Sequence, residues 1–233
     1  MSSNDVFTWL LNEFSNDIFI FVLCASLLWL YHLYLRYRVR TDPTYTVQAV
    51  NVLARTVWVE VMMGLGKPDV IAIQTLRNST MAATFLASTA VLLIMGVLTL
   101  SGQGQNLDAT WHVLNLYGAK HTGLWLTKLI LLLLDFFVAF FSFSMAVRIY
   151  NHVGYMINVP LSLNHKSISP RHVALHLNRG GRYYSIGMRA YYFSVPMVFW
   201  LFGPELMLAA TIALIVVLYR IDRAPKILAD DYR

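Results

Sequence analysis

The sequence predicts an all-α fold, a polytopic transmembrane helical bundle of about five spans, and three observations carry that prediction. Apolar residues make up 58% of the 233 and charged residues 13%, against about 45 to 50% and about 25% in soluble domains. Several apolar runs are long enough to cross a ~30 Å hydrocarbon core at about 1.5 Å per residue. The basic residues flank those runs instead of being spread along them. The solvent that does not penalise such runs is lipid, so the net charge of +6 reads as membrane anchoring, and a nucleic-acid partner is excluded. With 14% aromatics, disorder is excluded as well. Residues 1–233 read as a single membrane domain with no internal repeat.

At the N-terminus, Ser3 or Asn4 is placed to cap a short outer-surface helix through Phe14. The first span, 18–35, has only Ser26 and His32 as strongly polar interruptions and runs into Arg36, Arg38 and Arg40. The first 35 residues hold no Lys or Arg, so the charged start of a cleavable signal is missing and this span is expected to stay in the mature protein. Asp42-Pro43 has the form of an N-cap followed by proline at the first helical position, and Gly64 and Gly66 come about 20 residues later, which predicts a helix over 43–63. Val47, Val50, Ala54, Val57 and Val61 recur at three- and four-residue steps beside Trp58, as in an amphipathic helix lying on the inner leaflet.

The second span, 80–100, opens after Arg77-Asn78. Its Thr80, Thr84, Ala87 and Ser88 form a stripe of small residues that lets membrane helices approach closely. The third, 122–147, lies between Lys120 and Arg148. Ser169-Pro170 repeats the capping signature, and Gly180-Gly181 is expected to break or bend the helix that this cap begins. The last apolar stretch is too long for one ordinary span and is interrupted by Gly203-Pro204-Glu205. Two antiparallel spans, 183–202 and 205–221, fit it; one over-long, kinked helix in a four-span layout is the alternative. In the five-span layout, segments 36–78 and 148–189 hold six basic residues each and the tail holds four, with Lys120 alone on the opposite side. The positive-inside rule then places the N-terminus out and the C-terminus in.

Chemistry-bearing residues are few. Asp135 falls near the middle of the third span, where a carboxylate is costly and marks either an ion relay or a polar tie between helices. Lys128, seven residues earlier, is expected to snorkel outward, which leaves Arg189 as the expected partner of Asp135. Arg179, Arg182 and Arg189 share a helical face beside Tyr183, Tyr184, Tyr191 and Tyr192, with Arg77 and Asn78 at the same boundary. Planar guanidiniums suit phosphate or carboxylate, so an anionic lipid head group or an acidic segment of a partner membrane subunit is the expected ligand; ordinary anchoring is the bland reading.

His172 and His176 have the i, i+4 spacing of a helical metal clip but lack a third ligand at metal spacing. His32 and His152, both at the inner boundary, are the pair for an alternative b-haem reading, with His112 and His121 outside. No metal and no cofactor is otherwise expected. The single cysteine, Cys24, excludes an internal disulfide. Without a nucleophile elbow, phosphate loop or paired catalytic carboxylates, an enzyme is disfavoured.

Three motifs, Leu76-Arg77-Asn78-Ser79-Thr80-Met81-Ala82-Ala83-Thr84, Tyr150-Asn151-His152 with Ile157-Asn158-Val159-Pro160, and Leu177-Asn178-Arg179-Gly180-Gly181-Arg182-Tyr183-Tyr184-Ser185-Ile186-Gly187-Met188-Arg189, carry a resemblance that covers most of the chain. The sequence resembles the domain-of-unknown-function family numbered five hundred and ninety-nine, of bacterial and plant membrane proteins. The resemblance implies a small polytopic membrane protein with no catalytic assignment to carry over; the expected location is a bacterial cytoplasmic (inner) membrane. It adds weight to Arg77, Asn78, Asn151, His152, Asn178, Arg179, Arg182 and Arg189 as one polar cluster, whereas Asp135 lies outside the motifs. The leading expectation is a non-catalytic accessory or scaffold protein that binds anionic lipid or a partner subunit; a proton- or ion-coupled transporter using Asp135 is the alternative.

Overall fold

The computed structural model describes residues 3–66, 70–102, 122–163 and 168–225. Among these, six α-helices carry the fold: α1 (Ser3–Thr41), α2 (Val47–Gly64), α3 (Val70–Gly102), α4 (Thr122–Met156), α5 (Pro170–Phe202) and α6 (Pro204–Ile221), with a 3₁₀ turn at Leu161–Leu163. No β-strand occurs among the described residues. Ser15–Thr41 of α1, α3, Gly123–Met156 of α4, and α6 are each long and apolar enough to cross a membrane. Their outer faces carry large apolar side chains in the open, including Phe85 at 75% and Leu92 at 71% exposure, a surface suited to lipid.

Helix α4 runs antiparallel to α3 on one side and α5 on the other. Ala83, Ala87 and Ala90 of α3 meet Ala139, Phe143 and Ala146 of α4; small side chains allow this close approach. The expected stripe of Thr80, Thr84, Ala87 and Ser88 is thereby corrected by one position: Thr84 and Ser88 are exposed, since burying alanines leaves no hydroxyl to satisfy. Against α5, Phe143 meets Tyr184 and Tyr191, Phe136 meets Tyr191, and Leu129 and Leu132 meet Leu201. The 183–202 segment therefore lies at the same depth as the middle of α4. After Gly203-Pro204 the chain reverses, and α6 packs on both α5 and α1. Cys24 and Ile20 of α1 meet Met207, and Tyr31 and Leu35 meet Leu214 and Leu218, so α1 and α6 run parallel.

Three local expectations are corrected. The outer helix expected through Phe14 is continuous with the first span, because nothing between Asn12 and Asp17 breaks a helix. Helix α2 starts at Val47, with Thr46 as N-cap accepting from Ala49 N at 3.2 Å. Asp42 instead closes a turn, its Oδ1 accepting from Thr44 N and Thr44 Oγ1. Helix α5 passes unbroken through Gly180-Gly181. Its expected start holds: Ser169 Oγ accepts from His172 N, with Pro170 next in the chain. Thr46 also pairs with Arg223 in an isolated antiparallel bridge, Val47 N donating to Asp222 O and Ala224 N to Tyr45 O, both at 3.0 Å.

Candidate functional site: a guanidinium-lined cavity

Helix α2 buries Val59 and Met63 against the foot of α3, α4 and α5. Its valine stripe stays outward, with Val50, Val57 and Val61 exposed. Arg55 stands on the inward side. Its Nε donates to Asn178 Oδ1 at 2.9 Å, and Asn178 Nδ2 donates to Thr56 Oγ1 at 3.0 Å. One amide thus clamps two residues of α2 onto α5. The guanidinium lies across Gly181, where an added Cβ would sit 2.5 Å from Arg55 Nη1. At Gly180 it would meet the Tyr150 ring at 2.8 Å, and at Gly187 the Phe143 ring at 2.7 Å. The glycines of α5 are notches that admit side chains from α2 and α4.

Arg55 and Arg189 both line a cavity of about 600 Å³ walled by α2 to α6, with Asn51, Asn78, Tyr150 and Ser185 among its polar groups. The two cations differ in their surroundings. Arg189 Nη2 is 3.3 Å from Asp222 Oδ2, to which Tyr31 Oη donates at 2.8 Å. Its Nη1 donates to His32 Nε2, so His32 carries its proton on Nδ1 and donates it to Leu28 O at 2.7 Å. Arg55 has no carboxylate partner among the described residues. Burial pushes its pKa below the ordinary guanidinium value, opposed by the neighbouring Tyr150 hydroxyl. A desolvated guanidinium whose remaining N–H groups have no partner among the described residues is a ready donor site for an anion.

Of the expected cluster, Arg189 and Asn78 line the cavity. Arg77, Arg179, Arg182, Asn151 and His152 do not line it, Arg179 lying over the Tyr183 ring at 5.9 Å. His172 and His176 lie on the first turns of α5 with their Nε2 atoms 3.1 Å apart. Burial, then His172, Arg179 and His152, holds the His176 pKa below its usual value. No group of three or more metal-ligating side chains forms among the described residues. His112 and His121 lie outside the described residues, as do Lys120 and the tail beyond Pro225.

Two charge expectations are overturned. Lys128 does not snorkel: it is 5% exposed, 2.8 Å from Asp17 Oδ1, and donates to Trp200 O at 3.1 Å. Arg189 does not pair with Asp135, because Asp222 meets it first. Asp135 Oδ2 is buried without a hydrogen-bond partner among the described residues, and Asp135 does not line the cavity. Sequence reasoning missed Arg55, Asp17 and Asp222 as partners. The signal for Arg55 was its place on α2 opposite the valine stripe, the face shared with Val59 and Met63.

A bundle of apolar helices with a polar, cationic cavity at one end defines a multi-pass α-helical integral membrane protein. The chain belongs to the family described as Protein of unknown function, DUF599, whose model matches residues 19–227. No curated protein and no solved structure matches it.

Proposed function

We propose that this protein is a five-span, non-catalytic membrane protein of the bacterial inner membrane that recognises an anionic group, phosphate or carboxylate, at its cytosolic face through Arg55 and Arg189. The layout is supported by the antiparallel course of α3, α4 and α5, which sets the less apolar 183–202 segment beside α4, and by the concentration of basic residues at the cavity end. The observation that carries the anion reading is the half-buried Arg55, without a carboxylate partner among the described residues, facing a cavity shared with Arg189. Because Asp222 already neutralises Arg189, Arg55 is the cation with charge to spare.

In neutral detergent the purified protein is expected to bind phosphatidylglycerol and glycerol phosphate in preference to phosphatidylcholine and glycerol. Arg55→Gln is expected to weaken binding of the two anions about ten-fold, the order of one charge-assisted hydrogen bond. Unchanged affinity in that variant, with its helix content intact by circular dichroism, would remove the reading.

A further inference from the structure

The cavity does not end at the two arginines. It adjoins a mostly apolar groove of about 880 Å³ between the C-terminal half of α1 and the N-terminal half of α2; Gln48, Arg189 and Asp222 line both. Leu35, Val39, Ala49, Val52 and Leu53 supply the apolar wall. The groove in turn shares His32 and Arg36 with a third space of about 430 Å³, which runs along α1 past Leu28 and Trp29 to Ala25, with Phe193 of α5 as its other wall. From Arg36 to Ala25 is eleven residues of helix, or about 16 Å at 1.5 Å per residue, and half of a ~30 Å core is about 15 Å. The apolar crevice therefore reaches about one leaflet deep.

We infer that the three connected spaces hold one anionic glycerophospholipid of the cytosol-facing leaflet, its phosphate at Arg55 and Arg189 and an acyl chain along α1 between Leu35 and Ala25. This rests on the proposed anion site and names its ligand class. A free phosphate ester uses only the first space and leaves the groove and crevice without an occupant. An acidic peptide has no use for an apolar channel running toward the middle of a membrane. A phospholipid matches both ends in chemistry and the crevice in depth, and it has a path of entry, because Trp29 and Leu33 on the crevice are exposed on the lipid-facing side. Arg36 and Arg40, both exposed on the groove, add positive charge where the head group passes.

The test separates the chain site from the anion site. Ala25 is exposed, so Ala25→Phe narrows the crevice without disturbing the buried core. Native mass spectrometry of protein extracted from phosphatidylglycerol nanodiscs is read beside calorimetric titration with glycerol phosphate. The wild type is expected to retain phosphatidylglycerol at least ten-fold more tightly than it binds glycerol phosphate. Ala25→Phe is expected to lower retention of phosphatidylglycerol about ten-fold and leave glycerol phosphate unchanged; Arg55→Gln is expected to weaken both. Equal affinity for the two ligands in the wild type, or full phosphatidylglycerol retention by Ala25→Phe and by a second filling variant, Val52→Phe, overturns the inference while leaving the anion reading standing. Loss in Ala25→Phe with no effect of Arg55→Gln has the opposite meaning: a chain site without the proposed anion site.

Discussion

Gly180, Gly181 and Gly187 show how much one hydrogen atom in place of a methyl decides. Each faces a side chain from a neighbouring helix at a distance a Cβ would not allow. Their neighbours differ in how easily they can yield. At Gly181 the intruder is the far end of a flexible arginine, so Gly181→Ala is expected to fold with little loss of thermal stability but to displace Arg55 from Asn178 and lower anion affinity. At Gly187 the intruder is the fully buried Phe143 ring, so Gly187→Ala is expected to cost about 1–3 kcal/mol through overpacking, read as a lower unfolding temperature. The reverse ranking of the two variants in a thermal-shift assay would show that the arginine, not the ring, is the rigid neighbour. The sequence marked this stretch by its arginines and tyrosines but read Gly180-Gly181 as a break or bend. Glycine is both a helix breaker and a contact residue, and only the partner helices, which come from about 30 residues earlier for Gly180 and about 125 for Gly181, tell which role applies.

Helices are joined here by a few buried polar ties set among apolar contacts. Lys128 of α4 bridges α1 through Asp17 and α5 through the Trp200 carbonyl, with the Trp200 indole 5.1 Å away and itself donating to Asp17 at 2.9 Å. That carbonyl is open because its helical partner is Pro204, which has no N–H, and a cation at a helix C-terminus is favoured by the dipole. The Gly203-Pro204 break was legible as a turn, but its second consequence, an acceptor waiting for Lys128, was not, since it depends on the register of α4 against α5. Removing the ammonium takes the cation away from the buried Asp17 carboxylate. Lys128→Met is expected to destabilise the protein by about 3–5 kcal/mol, and the double variant Lys128→Met with Asp17→Leu to recover most of it. A double-mutant cycle in urea or by thermal unfolding checks this; additive losses would show that the pair is not coupled. The α2 helix was legible by its valine stripe, though not by its cap: Asp42-Pro43 has the right residue types, yet Thr46 takes the role because Asp42 is drawn into its own turn with Thr44.

At the scale of the molecule, composition and the spacing of apolar runs made the membrane bundle legible, and charge placement made its direction an expectation. The cavity was only half legible, because Arg189 lay in a visible cluster whereas Arg55 and Asp222 become its neighbours through the packing of α2 and α6. The proposed layout is tested by labelling. A cysteine at Glu205 is expected to react with an impermeant maleimide from outside, and one at Ala224 only after the membrane is opened; Cys24, fully buried, does not compete. The opposite pattern would invert the molecule and move the cationic cavity to the other leaflet. The parallel pairing of α1 with α6 also carries a consequence for biogenesis. About 160 residues separate the end of α1 from the start of α6, which at roughly 5–20 residues per second means that the first helix to leave the ribosome waits some ten to thirty seconds for its main neighbour to be made. Until then the side of α1 that carries Cys24, Tyr31 and Leu35 rests against lipid or the insertion machinery, and a chain that stops short of Gly203 leaves it there as a target for membrane quality-control proteases.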